Sequence, residues 1–216
     1  ALKKTGVPLI VSILGHNDEE FKILTEKFNA AGDISALELN LSCPNLGKKI
    51  LAAQDPQAIE RIVKTVKKIS RYPVIAKLSP NVTDIAAMAK VAEDAGADAV
   101  SLVNTFAAMA IDTKTRRSVL GNVTGGLSGP AIRPIALYMV CKTAQTVKIP
   151  IVAIGGIMTA DDALQYIIAG ATMVAVGTAN YINPRAPLEV LAGIKDYMRK
   201  HKINDIAQLR GSLDHG

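Results

Sequence analysis

The run Asn40-Leu41-Ser42-Cys43-Pro44-Asn45 concentrates more potential chemistry than any other stretch of the chain. A lone cysteine is more often a small hydrophobe in a core than a catalyst. Cys43, however, leaves an apolar run, precedes a proline, and is flanked by Asn40, Ser42 and Asn45, three groups able to hold a polar planar ligand. A thiol with an unperturbed pKa of about 8.5 needs only modest tuning to accept a proton at neutral pH. Lys77 interrupts the apolar run Val74-Ile75-Ala76 and Leu78. An ammonium there costs several kcal/mol unless it is paired, faces a polar ligand, or escapes at the strand end. Asn104 and Thr105 close another apolar run, where polar residues either cap a loop or bind a ligand. Gly155-Gly156 and Gly177-Thr178 allow a phosphate to approach the backbone closely, although a glycine pair alone is weak evidence.

The elements that must position these residues follow from hydrophobic patterning. Short runs rich in Val, Ile and Leu recur at Pro8 to Leu14, Ala36 to Ser42, Val74 to Ser79, Ala99 to Thr105, Ile151 to Gly155 and Met173 to Thr178. They are nearly continuous rather than alternating, as expected for parallel strands buried on both faces. Amphipathic stretches of helical period lie between them. Asp18 to Ala31 opens with three acids, Asp55-Pro56 supplies an N-cap with proline at the first helical position, and Thr83-Asp84 begins the next helix. Thr159 with Asp162 forms a capping-box pattern. Three times an Ala-Gly ending, at Gly32, Gly96 and Gly170, drops into a strand, so one helix-to-strand joint is expected three times.

Alternating strands and helices predict an α/β domain with a parallel sheet. Every polar or glycine-rich feature above sits at a strand's C-terminal end, where both open doubly wound sheets and (β/α)8 barrels place their sites. Glycine-bearing loops after the last two strands favour the barrel. A barrel needs eight strands and the chain shows six, so either two strands are missing from the N-terminus or the sheet is open.

Composition narrows the function classes. An apolar fraction of 49% over 216 residues suits a packed domain and excludes a disordered chain. The net charge of +6 is spread over singles and pairs, the densest being Lys64, Lys67, Lys68 and Arg71, which read as a solvated helix face. Without basic clusters interleaved with aromatics, no nucleic-acid partner is expected. Two cysteines, Cys43 and Cys141, provide neither a disulfide framework nor metal-ligand spacing, so no metal and a cytoplasmic setting are expected. No apolar run reaches membrane-spanning length, and Ala1-Leu2-Lys3-Lys4 has no signal-peptide core. The first residue is not Met, which points to a chain that begins inside something larger. His16 reads as a loop residue, His201 and His215 fall in the polar tail, and Cys141 reads as core packing.

Read in order, Asn40 to Asn45, Ala76 to Ile85, Val103-Asn104-Thr105, Asp112 to Arg116, Gly125 to Ile132 and Gly177-Thr178-Ala179-Asn180 resemble the class 1 dihydroorotate dehydrogenases, more closely the NAD-linked 1B branch. The resemblance implies an FMN-dependent TIM (β/α)8 barrel over residues 1–216, present from its third to its eighth βα unit. It implies oxidation of dihydroorotate to orotate in pyrimidine synthesis, with Cys43 as the base. Asn40, Asn45, Asn104 and Thr105 would hold the substrate. Ser12, Asn40, Lys77, Val103, Gly129, Gly155, Gly156, Gly177 and Thr178 would contact the flavin. It further implies a homodimer and an iron–sulfur and FAD electron-transfer subunit. A related dihydropyrimidine dehydrogenase domain, an aldolase-type phosphate-binding barrel and a non-catalytic barrel fragment are the competing readings.

Overall fold

The computed structural model describes residues 6–42 and 51–214. Six parallel strands form one sheet: β1 (Ile10–Ile13), β2 (Ala36–Asn40), β3 (Val74–Lys77), β4 (Ala99–Leu102), β9 (Ile151–Ile154) and β10 (Met173–Ala175). Their spatial order repeats their chain order, each strand pairing in parallel with the one before it. A doubly wound sheet would reverse direction at a switch point; an unbroken sequential order is that of a barrel wall. The fold is six βα units of a TIM barrel, with β1 and β10 at the two edges of the sheet.

Helices α1 (Asp18–Ala31), α2 (Pro56–Ile69), α3 (Ile85–Asp94), α4 (Arg133–Ala144), α5 (Ala160–Ile168) and α7 (Ala186–Lys200) ring the outside, each packed on the next. A short α6 (Ala179–Ile182) precedes α7. On α2 the buried residues Ala58, Ile59, Ile62, Val63 and Val66 follow helical spacing and face the sheet, while Lys64 and Lys67 point outward to Glu60 and Asp98. The expected caps form. Asp55 accepts from Gln57 N, Asp84 from Ala86 N and Ala87 N, and Thr159 with Asp162 closes a capping box.

The main core lies between sheet and helices, built from Leu37, Leu39, Val74, Ala76, Val100, Leu102 and their helical partners. On the inward face a second, small cluster of Ala36, Ile75 and Ala99 closes the floor. Burial on both faces holds for β3 and β4 but not at the edges. Ile10 on β1 and Met173 on β10 point inward and are 39% and 50% exposed, because an edge strand has a neighbour on one side only.

Two elements depart from expectation. The helix-to-strand joint is the same twice, not three times. Gly96 and Gly170, with positive φ, are each followed by an amide that reaches back five residues, Ala97 N to Ala92 O and Ala171 N to Tyr166 O. At the first joint Gly32 donates to Phe28 O, and both Gly32 and Asp33 take positive φ. Between β4 and α4 the chain also makes two antiparallel ladders that the sequence patterning does not announce. They pair β5 (Phe106–Ala108) with β8 (Gly125–Leu127), and β6 (Ile111–Asp112) with β7 (Arg117–Ser118). Their strands are two or three residues long, too short to show a period. Asp112 caps the β6–β7 turn by accepting from Lys114 N at 2.8 Å, which holds its carboxyl below the usual range.

The joints differ in a testable way. A Cβ on Gly170 would lie 2.4 Å from Ala144 Cβ, whereas one on Gly32 would meet nothing within 4 Å. Gly170→Ala should destabilise the fold by about 2–3 kcal/mol and Gly32→Ala by about 1 kcal/mol, read from urea unfolding midpoints.

Candidate active site

The parallel register sets neighbours at the strand ends. Asn40 pairs with Lys77, and Lys77 with Ser101, so all three share one level and one face. Side chains alternate along a strand, which places Ser12, Glu38, Asn40, Ile75, Lys77, Ala99, Ser101, Val152 and Ile154 on the inward face.

Above this level Ser42 ties two strands together. Its hydroxyl lies 3.1 Å from Asn40 Oδ1, and Asn104 Nδ2 donates to both Ser42 Oγ at 2.7 Å and Ser42 O at 2.9 Å. Asn104 Oδ1 in turn accepts from Thr105 N at 2.8 Å. Ser42 is 2% exposed and its polar atoms are committed to this bridge. It therefore positions the asparagines rather than offering a free ligand to a bound molecule. Asn81 does similar work from the β3–α3 loop, donating to Thr105 O at 3.0 Å and accepting from Ala107 N at 2.9 Å. Gly126 makes room opposite, since a Cβ there would fall 2.1 Å from Thr105 Oγ1.

The glycine loops are held from behind. Gly129, Gly155 and Gly156 have φ of +84°, +150° and +67°, in the left-handed region that favours glycine. A Cβ on Gly156 would come 2.7 Å from Gly129 O, so the two loops touch through backbone. The Tyr166 hydroxyl, fully buried, donates to Gly155 O at 2.6 Å, and burial pushes its pKa well above the usual tyrosine value. Asp162 accepts from Met158 N and Thr159 N and pairs with Arg133, locking the β9–α5 loop onto α4. Thr178 Oγ1 donates to Ser128 Oγ at 2.9 Å, joining the last loop to the one before α4.

Together these loops enclose a cleft of about 240 Å³ lined by Lys77, Val103, Asn104, Thr105, Ser128, Gly129, Ile132, Ile154, Gly155, Gly156, Gly177, Thr178 and Tyr181. Nine residues expected from sequence line it: Lys77, Val103, Asn104, Thr105, Gly129, Gly155, Gly156, Gly177 and Thr178. Asn40 stands beside it through Ser42. Ser12 does not reach it; it faces inward on the edge strand at the level of Glu38, with β2 between it and Lys77. Cys43 and Asn45 lie outside the described residues. His16 is on a loop as expected, and Cys141 is only partly buried on α4 rather than in the core. A larger cleft of about 480 Å³ between the starts of α1 and α2 contains none of the expected residues.

Ser42, expected to hold a ligand, instead positions the asparagines, and the residues missed from sequence are Asn81, Gly126 and Tyr166. Asn81 and Gly126 stand inside recognised motifs, but their roles depend on Thr105, 24 and 21 positions away. Tyr166 carries no local signal at all.

The family model described as dihydroorotate dehydrogenase matches residues 2–198. The chain belongs to the dihydroorotate dehydrogenase family. Its members are flavin-dependent oxidoreductases that oxidise dihydroorotate in pyrimidine biosynthesis. Curated relatives named dihydroorotate dehydrogenase B (NAD(+)), catalytic subunit, are 48% identical in Alkaliphilus metalliredigens and 49% in Alkaliphilus oremlandii, over 98% of this chain and 70% of theirs. The relative from Lachnoclostridium phytofermentans is 49% identical over 71% of its length. A crystal structure of the Eimeria tenella dihydroorotate dehydrogenase with ferulenol superposes with a TM-score of 0.75 at 21% identity, covering 90% of this chain and 57% of that one, and supports the barrel fold. The cleft fits a flavin. It presents one cation, an amide, hydroxyls and backbone glycines, and a Cβ on the cleft-lining Gly177 would meet nothing within 4 Å, so that side of the cradle is open.

Tyr166 supports both stability and this cradle. Its folded pKa lies above the unfolded value, so its contribution is complete below about pH 10 and is lost as pH rises toward the folded value. Tyr166→Phe should cost about 1–2 kcal/mol at neutral pH and remove this part of the alkaline loss, measured by denaturant unfolding across pH.

Proposed function

We propose that this chain forms the FMN-binding part of a class 1B dihydroorotate dehydrogenase catalytic subunit and oxidises dihydroorotate to orotate. The observation that carries this reading is the convergence of Lys77, Asn104, Thr105 and four loop glycines on one cleft, reached in the order in which the sequence motifs occur. FMN is the flavin whose single phosphate suits the Gly155-Gly156 and Gly177-Thr178 loops. Bound flavin supplies the hydride acceptor for C6 of dihydroorotate.

The chain's own residues supply the rest. Cys43, next in sequence to the anchored Ser42, takes the proton from C5. Asn104 and Thr105, with Asn40 and Asn45, hold the pyrimidine amides and carboxylate. Lys77, which lines the cleft, would hold the flavin there, and its ammonium would stabilise negative charge on that group, more strongly as water is excluded. The relatives' designation as NAD(+)-linked catalytic subunits supports a separate electron-transfer partner, and we include in the reading that this partner carries FAD and an iron–sulfur centre and that the chain forms a homodimer. Among the described residues no helix is long and apolar enough to cross a membrane.

A second reading, a barrel wall that does not turn over by itself, is favoured by the inward exposure of Ile10 and Met173 on the two edge strands. One experiment separates them: titrate the 216-residue chain with FMN, follow flavin absorbance, then add dihydroorotate. A yellow protein that forms orotate supports the first reading, and flavin uptake without orotate supports the second. In the active form, Cys43→Ala should lower kcat at least about a hundredfold, the usual scale for loss of a positioned base, while leaving flavin absorbance in place. Unchanged turnover would remove Cys43 from the role assigned to it.

A further inference from the structure

Asn104 and Thr105, read above as holding the pyrimidine, are themselves held by side-chain amides that run across three loops. Asn104 ties its strand end to Ser42, and Asn81 holds Thr105 O and Ala107 N. Asn81 is held in turn. Gln54, in the 3₁₀ turn Ala52–Gln54 that precedes α2, donates from Nε2 to Asn81 O at 2.8 Å across 27 positions, and its Oε1 accepts from Leu51 N at 3.0 Å. Gln54 thus reads one backbone N–H and one backbone C=O, and Asn81 does the same at Ala107 and Thr105, so neither amide can be turned round without losing both bonds. The turn does not need the contact with Asn81 for its own sake. Ala53 is 0% exposed and its N–H donates to Leu41 O at 2.9 Å, which already pins the turn to the end of β2. Capping Leu51 N uses the Gln54 oxygen alone. The NH2 group is left for another loop, and it goes to the residue that carries Thr105.

The links are in series. Leu51, Gln54, Asn81, Thr105, Asn104 and Ser42 follow one another from bond to bond, and the series starts and ends on the same connection between β2 and α2. Asn81 grips the peptide groups on both sides of Phe106, so a shift of Asn81 turns the backbone on which Thr105 stands. The glycine loops of the cleft are anchored separately, by Tyr166 and Asp162. Neither Gln54 nor Asn81 lines the cleft. We propose that Gln54 is a positioning residue for the Asn104–Thr105 pair, acting through Asn81, so that losing its NH2 group weakens the hold on the pyrimidine and leaves the flavin cradle intact. The link from Gln54 to Thr105 concerns this chain alone; the effect on the pyrimidine rests on the dihydroorotate reading above.

Amide hydrogen exchange of the flavin-free 216-residue chain, read by NMR, tests the first half. Gln54→Glu at neutral pH keeps an oxygen for Leu51 N and replaces the donor with an oxygen that faces Asn81 O. Exchange at the Ala107 N–H, which Gln54 does not touch, should quicken about tenfold, the scale of one hydrogen bond, while the Leu51 N–H stays protected. In Gln54→Met both should quicken. Asn81→Leu should quicken Ala107 at least as much, and adding Gln54→Met to it should change Ala107 no further, because the two act on one path. An Ala107 amide that is unprotected in the parent, or that exchanges at the parent's rate in Gln54→Glu, overturns the proposal; should that variant not fold, the same measurement on Gln54→Met decides. In flavin-loaded protein, Gln54→Glu and Gln54→Met should each raise the KM for dihydroorotate about tenfold with FMN affinity unchanged. A rise in Gln54→Glu alone reports charge repulsion and overturns the second half. An unchanged KM does the same, as does a parallel loss of FMN affinity, the mark of a merely structural role. A chain that takes up no FMN or forms no orotate defeats the functional reading and leaves the exchange result standing.

Discussion

Parallel register sets Asn40 beside Lys77 and Lys77 beside Ser101, and most of what this chain can do depends on that alignment. Parallel strands in chain order leave their C-terminal ends on one rim. The main chain turns outward there into loops, so polar side chains can converge without being buried unsatisfied in the wall. Once the register is set, Ser42 needs only one turn beyond β2 to reach Asn104 beyond β4, and the two strand ends are joined through three side chains. A slip of one residue would turn Lys77 and Glu38 into the apolar layer under the helices and Ala76 and Leu39 into the cleft.

The opposite side of the wall makes the register costly to change. Leu37, Leu39, Val74, Ala76, Val100 and Leu102 are all buried against the helical ring. Each contributes about 1–3 kcal/mol of burial that a shifted register would forfeit. The inward face could not hold register alone, since its apolar cluster is limited to Ala36, Ile75 and Ala99. Division of labour follows: the outer face supplies stability, and the inner face is free to carry a carboxylate, an ammonium and hydroxyls.

The glycine loops show the same division. Gly155 and Gly156 expose backbone to the cleft, which leaves them without side chains to anchor themselves. The anchors come from elsewhere: the Tyr166 hydroxyl on Gly155 O, and Asp162 with Arg133 behind the next turn. An open cradle is thus kept rigid by groups that never face it.

Much of this was legible in the chain itself. Local free energies dictated the strands, the caps at Asp55, Asp84 and Thr159, and the glycine turns at Gly96 and Gly170, because each depends on residues a few positions apart. The motif order identified the family, and with it most of the cleft. Other features are decided by residues far apart in sequence that meet only after the sheet forms. These include the sequential strand order that chose barrel over open sheet, the Ser42 bridge, the clamp of Tyr166 on Gly155, and the reach of Glu38 to Ser101 across 63 positions. Residue types can announce that Lys77 is unusual in an apolar strand; only register and packing determine which loops meet around it.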